Sequence, residues 1–238
     1  MEDLSTIKAL TFDIGGTVFD WHSSIRDEVH RLATERRVEV NSAQFANEWR
    51  REMVEMLAKV RNSELPWMNA DQIHRRVLDD VAPRYPTLEL NDSDLDELNQ
   101  VWHHLNVWKD APQAIERLRS RYTVVVLTVL SWAIAVDSSK AAGIGWHGII
   151  SCEFLGNYKP DAPAYHAGVK LLGIEPNEAM MVAAHYGDLR AAIGAGLHSA
   201  FVPRPGERGG GSDLETEPQP DFDINSKDFA DLADQLLA

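Results

Sequence analysis

Two hydrophobic patterns alternate along the chain. From Ile7 to Asp13 the run IKALTFD is almost continuously apolar, ends in an acid and is followed by Gly15, Gly16 and Thr17, the pattern of a buried strand entering a turn. From about Trp21 to Leu105 apolar residues instead recur at helical spacing between charges: Ile25, Val29 and Leu32, then Phe45, Trp49, Met53, Met56 and Leu57. Strand signals are absent there. The stretch Pro83 to Asp94 holds two prolines and an NDSD cluster, which predicts a connection, with Ser93 or Asp94 capping a helix that carries Leu98, Val101 and Leu105.

After Pro112 the alternation resumes. A helix (AIERLRSR) precedes Tyr122 to Leu127, whose consecutive β-branched residues suit a strand buried on both faces. A helix over Ala133 to Ala142, a strand over Gly148 to Ser151, a helix over Ala162 to Leu172, a strand over Met180 to Ala184, a helix over Leu189 to Ala195 and a strand over Ser199 to Val202 follow. This order predicts an α/β fold with a doubly wound parallel sheet and a site at the carboxyl ends of its strands. The expected division is a Rossmann-like core from 1–20 and 106–238, and an inserted α-helical cap from 21–105. Pro203 to Pro220, rich in Gly, Pro and acids, reads as a loop.

Length and charge narrow the function. At 238 residues the chain can bury a sizeable core and an inserted domain. Its net charge of -14 argues against nucleic acid and anionic lipid as partners, and it requires a local basic pocket for any anionic small substrate. The single cysteine, Cys152, fits a reducing compartment. No apolar run approaches the ~20 residues of a membrane span, and MEDLSTIK has no apolar signal core, so a cytoplasmic location is expected.

Four chemical features fall at successive strand ends: Asp13 with Gly16 and Thr17, Thr128 after YTVVVL, Lys159 after GIISCEFLGNY, and Asp188 after MMVAAHYG. Each alone has an ordinary structural reading, as turn residue, satisfied hydroxyl or helix start. In this order they resemble the four motifs of the haloacid dehalogenase superfamily, over nearly the whole chain. A strand-end carboxylate can attack an electrophilic centre and form an ester that water opens. The resemblance makes Asp13 that nucleophile. Lys159 would keep it ionised, Asp188 would orient water or Lys159, and Thr128 would hold an oxygen of Asp13 or of the substrate.

The position two residues after the nucleophile decides between chemistries. Phosphatases of the superfamily carry a second Asp there to protonate a departing alkoxide, and a further Asp four residues after the position of Asp188 to help hold magnesium. Here these positions are Gly15 and Ala192. Halide needs no protonation to leave. FDIGGTVFDW, FANEWRREM, NYKPDAPAY, MVAAHYGDLRAA and FVPRP are similar, more narrowly, to the type II L-2-haloacid dehalogenases. That resemblance implies a small 2-haloacid as substrate, with Arg50, after Trp49, lying over the nucleophile to receive halide. Thr17 and Tyr165 match further site positions. The substrate carboxylate would be held by Lys159 and by backbone N–H groups, with Ile14 and Gly15 at the turn as candidates. No cofactor is implied, and a homodimer is plausible. The chain departs from the family at Val129, where an asparagine is usual, at Ala183, where a small polar residue is usual, and at Tyr186, where an amide is common; His185 is the nearby donor that could substitute. Three readings follow: a dehalogenase, a magnesium-dependent phosphatase, and a fold-sharing binding protein without turnover.

Overall fold

The computed structural model describes residues 4–210 and 215–238. Six parallel strands form one sheet in the order β5-β4-β1-β6-β7-β8: β1 Ala9–Phe12, β4 Thr123–Thr128, β5 Gly148–Ser151, β6 Ala179–Ala183, β7 His198–Phe201 and β8 Ile224–Asn225. The register pairs Phe12 with Val126 on one side and with Val182 on the other. The chain therefore builds outward from β1 in one direction, then returns to its other flank. Strand order reverses at the carboxyl end of β1, and crevices form at such reversals. Asp13 is the first residue past that end. Central strands need apolar side chains on both faces, and β4 and β6 are buried along almost their whole length.

The insertion lies between two short strands, β2 Phe19–Asp20 and β3 Asn106–Val107, which pair antiparallel and bring the entering and leaving chain side by side. Between them run α1 Trp21–Arg36, α2 Ser42–Arg61, α3 Ala70–Val81 and α4 Asp92–Asn99. On α2 the buried residues Phe45, Ala46, Trp49, Met53, Leu57 and Val60 repeat every three or four positions, so one stripe faces the cap interior. The cap of α4 falls earlier than the sequence suggests. Asn91 accepts from the Asp94 N–H, and the Asp94 side chain accepts the Asn91 N–H, so Asp94 is the reciprocal partner in a capping box.

In the core, α5 Ala111–Arg119, α6 Trp132–Ala141, α7 Cys152–Leu155, α8 Ala162–Leu172, α9 Tyr186–Gly194 and α10 Phe229–Leu237 flank the sheet. Strand β8 and helix α10 were not foreseen from the sequence. The expected loop after Pro203 carries a 3-10 turn at Glu207–Gly209, and its residues 211–214 lie outside the described ones. Among the described residues no helix is long and apolar enough to cross a membrane.

Candidate active site

The site is built from the residues that follow β1, β5 and β6. Asp13 is 5% exposed, which by itself would favour the neutral acid. It is nevertheless fully partnered. Lys159 Nζ donates to Oδ1 at 3.1 Å, Thr17 Oγ1 donates to Oδ2 at 2.8 Å, and His185 Nδ1 lies 3.5 Å from Oδ2. Burial raises the carboxyl pKa, but Lys159, then His185 and Thr17, outweigh it and hold Asp13 well below the usual carboxylate range. A buried carboxylate locked in its anionic form, away from bulk water, is a competent nucleophile.

Lys159 joins the two acids. Its Nζ also donates to Asp188 Oδ2 at 2.6 Å, while Tyr165 donates its hydroxyl to Asp188 Oδ1. Burial alone would lower the lysine pKa; the two carboxylates reverse this and raise it above its ordinary value. Thr17 is held in turn, because its hydroxyl accepts the Ala184 N–H at 3.0 Å. Arg204 fixes the turn from behind, donating from Nε to the Thr17 carbonyl and from Nη1 to Asp110. Among the described residues the N–H groups of Ile14 and Gly15 have no protein acceptor, which leaves them available to an anion.

Of this network His185 lines a cavity of about 750 Å³, whose walls also include Trp21, Asn47, Arg50, Glu207 and Arg208. Trp49 explains how Arg50 gets there. Trp49 is wholly buried in the cap, donates Nε1 to the His74 carbonyl at 2.9 Å and packs edge-on against Trp102. The next residue on the helix is thereby turned to the cavity, where the Arg50 guanidinium sits 5.6 Å from the Trp21 ring centroid. Among the described residues it has no ion-pair partner within 4 Å, and burial pulls its pKa below the ordinary value despite nearby Glu207 and Asp13. An unpaired guanidinium facing a pocket is a natural anion receptor.

Comparison with known proteins identifies the family. Residues 7–196 match the haloacid dehalogenase-like hydrolase family. The chain belongs to that family. Among solved structures, a defluorinating L-2-haloacid dehalogenase is 34% identical, superposes with a TM-score of 0.92 and covers 98% of this chain and 96% of its own. A second L-2-haloacid dehalogenase is 32% identical with a TM-score of 0.90, covering 97% and 99%. The (S)-2-haloacid dehalogenase 4A of Burkholderia cepacia is 26% identical over 209 residues, 85% of this chain and 86% of that protein.

Within this haloacid dehalogenase-like hydrolase, the expected site residues fall into two groups. Asp13, Thr17, Lys159, Tyr165, His185 and Asp188 form one bonded network, with Ile14 and Gly15 in its turn and Arg50 on the wall of the cavity that His185 also lines. Thr128 and Val129 do not join it. The Thr128 hydroxyl accepts the Leu130 N–H at 3.1 Å and serves the turn after β4, not an oxygen of Asp13, and Val129 packs against the main core. Tyr186 also points elsewhere: its ring packs with Phe201 and Phe222, and its hydroxyl donates to the Glu217 carbonyl. His185, not Tyr186, is the donor beside the nucleophile.

Sequence reasoning missed Glu207. It is buried, lies 3.1 Å from His185 Nε2 through Oε2, and accepts the Trp21 indole N–H at 2.8 Å. Burial opposes its charge, but His185 and Trp21 outweigh burial and bring its pKa down to about 2. One signal for it lay in the glycines. Gly16 has φ +95°, and a Cβ there would stand 2.3 Å from Glu207 Oε1, so the second glycine of the motif makes room for this carboxylate.

Proposed function

We propose that this protein is a cofactor-independent hydrolytic dehalogenase of small (S)-2-haloalkanoic acids. Asp13 attacks C2 opposite the halogen, forming an ester as halide leaves toward Arg50. The substrate carboxylate is held by the free N–H groups of Ile14 and Gly15 and by Lys159. Water then opens the ester at the Asp13 carbonyl, so inversion occurs once and an (S)-2-haloacid gives the (R)-2-hydroxy acid.

The observation that carries the choice of carbon–halogen over phosphate chemistry is the surroundings of Gly15. A Cβ at this position would only touch the Leu130 side chain, at 3.4 Å, so the place two residues after the nucleophile carries no acid and looks onto an apolar neighbour that could not help protonate a leaving group. Ala192, where a further metal-binding carboxylate would be needed, is fully buried in an apolar cluster. Asp13 and Asp188 already share the Lys159 ammonium, which makes them a poor donor set for magnesium.

The test is halide release from chloro-, bromo- and fluoroacids, with and without chelator. The expected outcome is chelator-insensitive release that Asp13→Asn abolishes. In a single turnover in H₂¹⁸O the label should enter Asp13 and not the hydroxy acid. No release from folded protein across the panel would overturn the reading, and magnesium-stimulated hydrolysis of an aryl phosphate would replace it with phosphatase chemistry.

A further inference from the structure

Opening an aspartyl ester requires a group that takes a proton from water. Asp188 accepts on both oxygens, Oδ2 from Lys159 and Oδ1 from Tyr165, and such bonds to the charged form lower its basicity toward water. His185 is differently situated. It follows β6 at the edge of the cavity, its side chain is 25% exposed, Nδ1 faces Asp13 and Nε2 faces Glu207. An ionised Glu207 can only accept, so a neutral His185 keeps its proton on Nε2 and turns the lone pair of Nδ1 toward Asp13. Glu207 is itself fixed by the Trp21 indole and by the space that Gly16 leaves.

We infer that His185, held by Glu207, is the general base for hydrolysis of the Asp13 ester, while Asp188 serves to position Lys159. The inference rests on the ester mechanism proposed above. Before reaction, burial works against the imidazolium, but Glu207 and Asp13 together raise its pKa to about 10. A protonated His185 is harmless at this stage, since displacement uses only an Asp13 lone pair. Alkylation then removes the negative charge 3.5 Å from Nδ1, leaving Glu207 as the adjacent anion, and His185 gives its proton to solvent through the cavity. Water adds to Asp13 Cγ and passes a proton to Nδ1. The tetrahedral intermediate breaks its bond to the substrate oxygen, and that oxygen takes the proton of the new carboxyl group. Asp13 returns as carboxylate and His185 as imidazolium; halide, hydroxy acid and one proton have been released for one water consumed. The base is unmasked only once the nucleophile has been used.

The charged groups around His185 set this titration. They are Asp13, with Lys159 bound to it, from the core, Glu207, Arg208 and Glu215 from the segment before β8, and Arg50 from α2. Rapid-quench reaction with (S)-2-chloropropionate, followed by halide assay and intact-protein mass, separates the two chemical steps. In His185→Gln we expect one halide per site, then a stall with one carboxyalkyl group on Asp13 and turnover reduced at least ~100-fold. In Glu207→Gln the ester should also accumulate, and the ionisation governing its hydrolysis should move to lower pH. The wild type offers a check that needs no variant: its hydrolysis phase should speed up with pH through an ionisation absent from its halide-release phase. A pH-flat hydrolysis phase, or ester hydrolysis at the wild-type rate in His185→Gln, overturns the inference. Absence of any halide release from the wild type would instead defeat the dehalogenase reading.

Discussion

At the scale of single residues, the site depends on one buried ammonium shared by two carboxylates. Lys159→Met leaves Asp13 with only His185 and Thr17 to oppose burial, so its pKa must rise. The sign follows from the direction of the native shift. A carboxylate depressed on folding contributes stability that is present above its ordinary value near 4 and is lost only as pH falls below it toward the depressed value. The wild type should therefore show no acid limb from Asp13 in kcat/KM from about pH 5 upward, whereas Lys159→Met should show one. Stability should fall by about 3–5 kcal/mol, because a buried charge loses its partner. pH–rate profiles and urea midpoints measure both; identical acid limbs would mean that Lys159 does not hold the charge. Thr17 offers a finer comparison. Thr17→Val strips Asp13 of a donor and leaves the Ala184 N–H buried without an acceptor, a cost of about 1–3 kcal/mol. Thr17→Ser keeps both bonds and should retain near-wild-type stability and rate. These residues were legible in the sequence because each lies at a strand end inside a short motif. Glu207 was not, because it reaches the site from a 3-10 turn in a Gly-rich loop with no periodicity to mark it.

At the scale of elements, helix α2 carries Arg50, and Trp49 sets where it points. Trp49→Ala removes a wholly buried indole, its contacts with Phe45 and Trp102 and its bond to the His74 carbonyl. Large-to-small changes of this kind cost about 3–5 kcal/mol, so the urea midpoint should drop. Loss of aim should appear separately, as a fall in kcat/KM measured at temperatures where the variant is still folded. If kcat/KM is unchanged there, Arg50 does not owe its position to Trp49. The strands and helices that line the site could be read from periodicity: Gly148–Ser151 and Ala162–Leu172 fall where the apolar pattern placed them. Elements at the margins could not. β8 is two residues long, too short to show alternation, and β2 and β3 gain their meaning only by pairing across the whole cap insertion. The α4 cap was misplaced because NDSD offers several capping oxygens in a row, and only the geometry selects Asn91.

At the scale of the whole molecule, an anionic substrate must approach a protein of net charge -14 before it meets Arg50 and Lys159. The cavity rim is mixed, with Arg51 and Arg208 set against Glu55 and Glu215, so it does little to offset the surrounding field. Arg50 and Lys159, the basic groups proposed to bind the substrate, are recessed, and the charges seen from a distance are mostly negative. Their repulsion acts over a Debye length of about 30 Å at 0.01 M salt and about 8 Å at 0.15 M. Raising ionic strength across that range should therefore increase kcat/KM for a 2-haloacid, chiefly through a lower KM, and leave kcat nearly constant. The titration should use sodium sulfate, because halide salts would compete as product at Arg50. Arg50→Lys, which keeps the charge but loses the planar fork, should lower kcat and preserve the same salt slope. A fall in kcat/KM with added sulfate would mean that Arg50, Arg51 and Arg208 attract the substrate from outside the cavity, and that the local basic field, not the net charge, governs its approach.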